Sequence, residues 1–175
     1  MTWWERAAQI RAIVLDVDGV MTDGHIAYGP NGATFKRFDV RDGQAIRMAR
    51  VAGLSVGLIS GRSDPGTLTR AQELDLDFAR TGEPDKLAGF RTILEELGLR
   101  AEECMYVGDD LPDVPAMRAA GIGAAVGDAL PEVRERADLV LEARGGHGAV
   151  REAIALLMAA QGTWKAATRR YLDPE

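Results

Sequence analysis

The stretch IVLDVDGVMTDG, residues 13–24, decides how this chain is read. The run from Ile10 to Leu15, interrupted only by Arg11 and Ala12, has the length and β-branched content of a buried strand, and it ends abruptly in carboxylates. Asp16 and Asp18 therefore stand where a strand gives way to a loop. In an open parallel sheet the crevice lies beyond the carboxyl ends of the strands, so acids placed there face a ligand rather than the core. Two residues apart on extended backbone, they point to the same side, and their repulsion calls for a hard divalent cation or a shared proton. Gly19 allows a tight turn away from the acids, and Gly24 a second one. The same Asp-x-Asp-Gly is also an ordinary turn sequence, so the remaining motifs carry the decision.

Working outward, the next segments alternate strand and helix patterns. HIAYGPNGATFKRFD, residues 25–39, alternates on both sides of a Gly-Pro-Asn-Gly turn and predicts a β-hairpin beside the acidic loop. FDVRDGQAIRMARVAG predicts a helix capped by Asp42, with Ile46, Met48, Ala49, Val51 and Ala52 on its apolar face and its end at Gly53. LSVGLISGR is a second buried strand, Leu54 to Ile59, that delivers Ser60, Gly61 and Arg62; a helix over 64–75 follows, with proline in its first turn. LDLDFAR is a short strand candidate, and GEPDKLAGFRTILEELG a helix with Leu87, Phe90, Ile93, Leu94 and Leu97 inward. Lys86 stands in the first turn of that helix, against the dipole, which suits a cation that faces carboxylates or phosphate. CMYVGDDLPD is the third informative strand, ending in Gly108, Asp109, Asp110 and then Asp113. So many acids after a buried strand are costly unless a metal ion or hydrogen bonds compensate them.

IGAAVGDA and ADLVLEA complete the strands around a helix over 131–136, and a helix over 150–161 follows the glycine loop that carries His147. His147 reads either as an incidental loop histidine or as a pH-sensitive ligand contact. Trp3 to Gln9 reads as a short amphipathic helix. Strand and helix alternation with short turns predicts an α/β fold: a single Rossmann-like domain over residues 1–175, its mostly parallel sheet covered by helices. Residues 163–175 form a basic, partly helical tail, and the intervals 24–39 and 62–86 are too short for a cap domain.

Composition narrows the partners. With 27 Asp plus Glu against 21 Lys plus Arg, the net charge is −6, and the basic footprint of nonspecific nucleic-acid binding is missing. No apolar run approaches the roughly 20 residues that span a bilayer. The start, MTWWERAAQIR, has no secretory pattern, so a cytoplasmic protein is expected. The single cysteine, Cys104, cannot form an intramolecular disulfide and reads as a reduced, buried thiol.

Taken in order, DVDG, ISGR, Lys86 and GDDLPD resemble the four motifs of the haloacid dehalogenase-like phosphohydrolases, and the resemblance covers nearly the whole chain. It implies Asp16 as the nucleophile that forms an aspartyl phosphate, Asp18 as the general acid and then base, and Ser60 and Lys86 as holders of the phosphoryl oxygens. It implies Mg²⁺ bound by Asp16, the Asp18 backbone carbonyl and Asp109, with Asp110 and Asp113 in support.

DVDGVMTDG, FDVRDG, SGR, GDDLPDVPAM and GGHGAVREA, followed by AQG, resemble the 3-deoxy-D-manno-octulosonate 8-phosphate phosphatases within that group. This second resemblance implies a capless homotetramer acting in lipopolysaccharide biosynthesis. Asp18, Asp39, Val40, Arg41, Asp42, Gly43, Arg47, Arg62, Arg70 and Lys86 would contact the sugar-acid phosphate, partly across subunits. Four arginines beyond Lys86 suit a second anionic group such as a carboxylate. Asp39 stands where those enzymes often have Asn, and Gln44-Ala45 replaces a more usual aromatic-Gly pair. A nonulosonate 9-phosphate or looser sugar-phosphate phosphatase, a phospho-acceptor signalling domain and a non-catalytic scaffold subunit are the alternative readings.

Overall fold

The computed structural model describes residues 2–32 and 34–172. Met1, Ala33 in the predicted hairpin, and 173–175 of the predicted tail lie outside the described residues. In chain order the elements are α1 (Trp3–Arg6), β1 (Ala12–Leu15), β2 (Ala27–Tyr28), β3 (Thr34–Phe35), α2 (Val40–Val51), β4 (Ser55–Ser60), α3 (Pro65–Glu73), β5 (Phe78–Thr81) and α4 (Lys86–Leu97). They continue with β6 (Cys104–Gly108), α5 (Val114–Ala119), β7 (Ile122–Ala125), α6 (Pro131–Arg134), β8 (Leu139–Val140), α7 (Ala149–Ala160) and α8 (Trp164–Leu172).

Six strands pair in the order β5-β4-β1-β6-β7-β8, every pairing parallel. The central position of β1 explains its composition: all four residues are fully buried, because helices cover both faces. Ile13, Val14 and Leu15 each contribute about 1.5–3 kcal/mol by leaving water. Since β1, β4 and β6 are adjacent and parallel, the ends carrying Asp16, Ser60 and Asp109 emerge along one edge of the sheet. The chain thereby assembles its acids without any long-range loop.

Local chemistry sets the element ends. Asp64 caps α3 by accepting from the Thr67 N–H, and Asp85 caps α4 by accepting from the Ala88 N–H. The N-cap of α2 is Asp39, which accepts from the Arg41 N–H at 2.7 Å, and not Asp42 as the pattern suggested. Asp42 is instead buried, and its Oδ1 accepts from the Arg151 N–H at 2.8 Å, at the start of α7. Gly148, the residue before α7, has no side chain to cap that helix, so Asp42 supplies the acceptor from across the helix pair.

Other expectations are shortened. The predicted helix over 3–9 is α1 plus a tight turn at Ala7–Gln9; Ile10 donates its N–H to the Ala7 carbonyl in that turn, and β1 runs from Ala12. Val51, the last residue of α2, is exposed rather than on the apolar face. The hairpin pairs only two residues per strand; both faces are largely in water, so little burial favours a longer ladder. In the tail, α8 packs back against α7, placing Trp164 against the core.

Candidate active site

Beyond β1 the chain turns within seven residues. The Asp16 N–H still donates to the Val107 carbonyl at 3.0 Å, which fixes Asp16 as the last residue held by the sheet. Gly19 then adopts φ +99, and a Cβ there would lie 2.1 Å from Asp109 Oδ2. Only glycine fits between the two acidic loops. The loop is braced from behind by Gly145 and Gly146, whose ideal Cβ atoms would collide with the backbone at Gly19 and Thr22.

Lys86 is the centre of the site. Its Nζ lies 2.7 Å from Asp16 Oδ1 and 2.7 Å from Asp113 Oδ1, with 9% of its side chain exposed. Burial alone would depress the ammonium, but the charges of Asp16 and Asp113 outweigh it and hold the lysine above its usual value. Asp113 is fully buried and fully used: besides Lys86 it accepts from the Tyr106 hydroxyl at 2.9 Å and from the N–H groups of Asp109 and Asp110 at 3.1 and 3.2 Å. Tyr106 packs edge-on against Phe90, so the lysine's orientation is tied to the core.

Asp16, Asp109 and Asp113 bring ligand oxygens within 4.8 Å of one another. Burial and the Asp113 charge push Asp16 up to about 7; burial and the Asp16 charge push Asp109 up to about 8. Asp109 Oδ1 is buried without a hydrogen-bond partner. These are the properties of hard oxygen donors gathered for a small divalent cation, and they fit Mg²⁺. Because protein donors already saturate Asp113, Asp16 and Asp109 are the side chains free to ligate.

The acids line an open cleft of about 210 Å³ together with Asp18, Ser60, Gly61, Arg62, Pro84, Lys86, Asp110 and Pro112. Ser60 is buried at the tip of β4, where its Oγ accepts from the Arg62 N–H at 3.2 Å. Asp110 caps the turn that follows, accepting from the Leu111 N–H at 2.7 Å.

The other residues named from the sequence lie elsewhere in this chain. Asp39 pairs with the exposed Arg41 and lines a separate groove with Arg37 and His147. Val40 is exposed, and Gly43 makes room for Arg70, whose guanidinium stacks over Phe38 and donates to the Asp39 carbonyl. Arg47 donates to the Glu73 carbonyl and lines a groove shared with Arg50. Cys104 is buried, and burial pushes its thiol well above the usual cysteine range, which leaves no nucleophilic role.

Sequence reasoning passed over Lys36. Its side chain, 2% exposed, reaches from the hairpin to Asp18 Oδ1 at 2.8 Å and Asp64 Oδ2 at 2.6 Å. Alternation with the exposed Phe35 was the available signal, since it turns Lys36 to the opposite face.

A model of the haloacid dehalogenase-like hydrolases matches residues 32–121. The 3-deoxy-D-manno-octulosonate 8-phosphate phosphatase of Escherichia coli (strain K12) is 44% identical over 157 residues, 90% of this chain and 84% of that protein. The chain belongs to the haloacid dehalogenase-like hydrolases, in the 3-deoxy-D-manno-octulosonate 8-phosphate phosphatase family. This phosphatase also resembles solved members of the family. The Yersinia pestis enzyme superposes with a TM-score of 0.90 at 40% identity, covering 93% of this chain and 88% of the other. The Moraxella catarrhalis enzyme, solved in complex with magnesium, phosphate and KDO, superposes with a TM-score of 0.91 at 35% identity over 94% of each chain.

Proposed function

We propose that this phosphatase hydrolyses 3-deoxy-D-manno-octulosonate 8-phosphate to the free sugar acid and phosphate through an aspartyl phosphate on Asp16. The observation that carries the reading is the Asp16–Lys86–Asp113 arrangement, a carboxylate held at a strand end with a buried ammonium 2.7 Å away. Identity of 40–44% to the curated family members supports the same substrate.

Asp16 attacks phosphorus and the ester P–O bond breaks, leaving an alkoxide. Asp18, two residues on and at the mouth of the cleft, gives the alkoxide its proton; it then takes one from the water that splits the aspartyl phosphate, which frees phosphate and restores Asp16. Lys86 and Ser60 bind the transferring oxygens, the lysine prevented from swinging away by Asp113. Asp16, Asp109 and the Asp18 backbone carbonyl would hold Mg²⁺, which supplies positive charge between a carboxylate and a phosphate dianion that otherwise repel. Arg62, exposed and within 4.0 Å of Asp18, is the cation placed for the sugar acid.

The working form is a homotetramer in the cytoplasm. An open cleft without a cap needs another wall, and the hairpin offers exposed Tyr28 and Phe35, with Val40 close by in sequence, as a self-association surface. A neighbour seated there would also bring arginines that do not reach the cleft within one chain. Among the described residues no helix is long and apolar enough to cross a membrane.

A screen of kcat/KM tests the substrate. The octulosonate 8-phosphate should exceed neutral sugar phosphates by roughly 30-fold or more, as loss of a charge-assisted contact predicts. Equal values, or preference for a nonulosonate 9-phosphate, would reassign it. Light scattering that found an active monomer would remove the tetramer.

A further inference from the structure

The hairpin is more than a rim. Lys36 follows β3 directly, and its ammonium is shared among three acceptors from two other segments. It bridges Asp18 Oδ1 and Oδ2 at 2.8 and 3.1 Å, Asp64 Oδ2 at 2.6 Å and Thr67 Oγ1 at 3.3 Å. The Asp64 end is itself fixed: its Oδ2 accepts from the Thr67 hydroxyl at 2.6 Å and its Oδ1 from the Thr67 N–H at 3.1 Å, at the capped start of α3. Burial alone would raise Asp64, but Lys36 and Thr67 outweigh it and hold the carboxyl below its usual value.

Among the described residues, Asp18 has no comparable anchor on its other side. Arg62, the second cation near it, is 63% exposed and only at the 4.0 Å limit of pairing. A carboxylate that must meet a leaving oxygen needs a fixed direction, because small misplacements of a reacting group cost large factors in rate. The buried tie to α3 supplies that direction, and it runs through one side chain.

We propose that Lys36 is the positioning residue for Asp18, holding its carboxyl toward the leaving oxygen from a rigid base of Asp64 and Thr67. The proposal rests on the acid–base reading of Asp18. It differs from a plain structural tie of hairpin to body in what it predicts about leaving groups.

The test uses the full chain with saturating Mg²⁺ and substituted phenyl phosphates, from dinitrophenyl phosphate, whose leaving group needs no proton, to unsubstituted phenyl phosphate, whose leaving group does. Lys36→Met should lower kcat/KM about 100-fold for phenyl phosphate, within the range for general acid catalysis, and less than about fivefold for dinitrophenyl phosphate. A uniform loss across the series, or none, would overturn the proposal and leave Lys36 a structural tie. Asp18→Asn in the same series separates the two readings: if it fails to steepen the dependence on leaving group, the acid–base role of Asp18 is wrong. If it steepens the dependence and Lys36→Met does not, only the positioning role is wrong. Should Lys36→Met fail to fold by circular dichroism, Asp64→Asn carries the test. It retains the lysine but loosens its base, and should steepen the dependence about tenfold; a flat response there overturns the proposal equally.

Discussion

Two short acidic motifs in this chain look alike and do different work. Asp16-Val17-Asp18-Gly19 follows a buried strand, whereas Asp39-Val40-Arg41-Asp42-Gly43 opens a helix. After the strand, no helix-capping hydrogen bond draws on Asp16, so it keeps an oxygen for Lys86 and faces the cleft. At the helix start, unsatisfied N–H groups take the acids first: Asp39 caps its own helix and Asp42 serves α7. The two glycines differ as well. Gly19 admits the Asp109 carboxylate, while Gly43 admits the Arg70 side chain. Acid-rich sequence thus becomes chemistry only where the backbone leaves its carboxylates unclaimed.

The largest effect expected from this contrast is at the first motif. Asp16→Asn should cut turnover by at least about 1,000-fold, because the amide is nearly isosteric but a poor nucleophile. The circular dichroism spectrum should be unchanged. Phosphate release by the variant at the wild-type single-turnover rate would move the nucleophile elsewhere and dissolve the contrast.

A second effect separates the motifs through linkage. Asp16 and Asp109 are raised to about 7 and about 8 without metal, so the folded state holds their protons where the unfolded chain has lost them. Their contribution to stability is therefore complete below about pH 4 and is lost as pH rises toward 8. Mg²⁺ binds the deprotonated pair, so the increase in Tm that it confers should grow from pH 5.5 to pH 8 and then level off. Melting curves with Mg²⁺ and with a chelator measure this. A constant increment across that range would mean that the acids are already ionised in the free protein.

How much of this was legible in the sequence follows from the same contrast. The strands β1, β4 and β6 were plain because a sheet buried on both faces demands unbroken apolar runs, and their polar ends marked the cleft. The helix boundary at Asp39 was missed because two acids three residues apart both satisfy the capping pattern; only the packing of α2 on α7 decides between them. Lys36 was missed because the one local signal, alternation with the exposed Phe35, says which face it takes and not what it meets there. Its three partners lie 18, 28 and 31 residues away in sequence, a juxtaposition that only the closed fold creates. Arg47 and Arg70 were named as substrate contacts through the family resemblance; within one chain the carbonyls of Glu73 and Asp39 engage them.

The smallest expected effect is also the sharpest test of the second motif. Asp42→Ala removes the acceptor at the start of α7 and should cost about 0.5–2 kcal/mol, the usual range for a lost helix cap. In a chain of 175 residues that lowers Tm by roughly 1–8 °C. Asp42→Asn keeps an acceptor oxygen and removes the charge. Burial raises Asp42 to about 6, so the stability tied to its proton is present below about pH 4 and lost as pH rises through 6. The asparagine variant lacks this dependence, and its stability relative to the wild type should therefore improve between pH 4 and pH 7. Neither substitution should change kcat/KM at 25 °C by more than about twofold, since the carboxylate faces a helix end rather than the cleft. A KM raised about tenfold in Asp42→Asn, with Tm unchanged, would instead return the second motif to the substrate. Because Asp42 is closed off within its own chain by Arg151 and α7, that result would require α2 and α7 to separate when substrate binds.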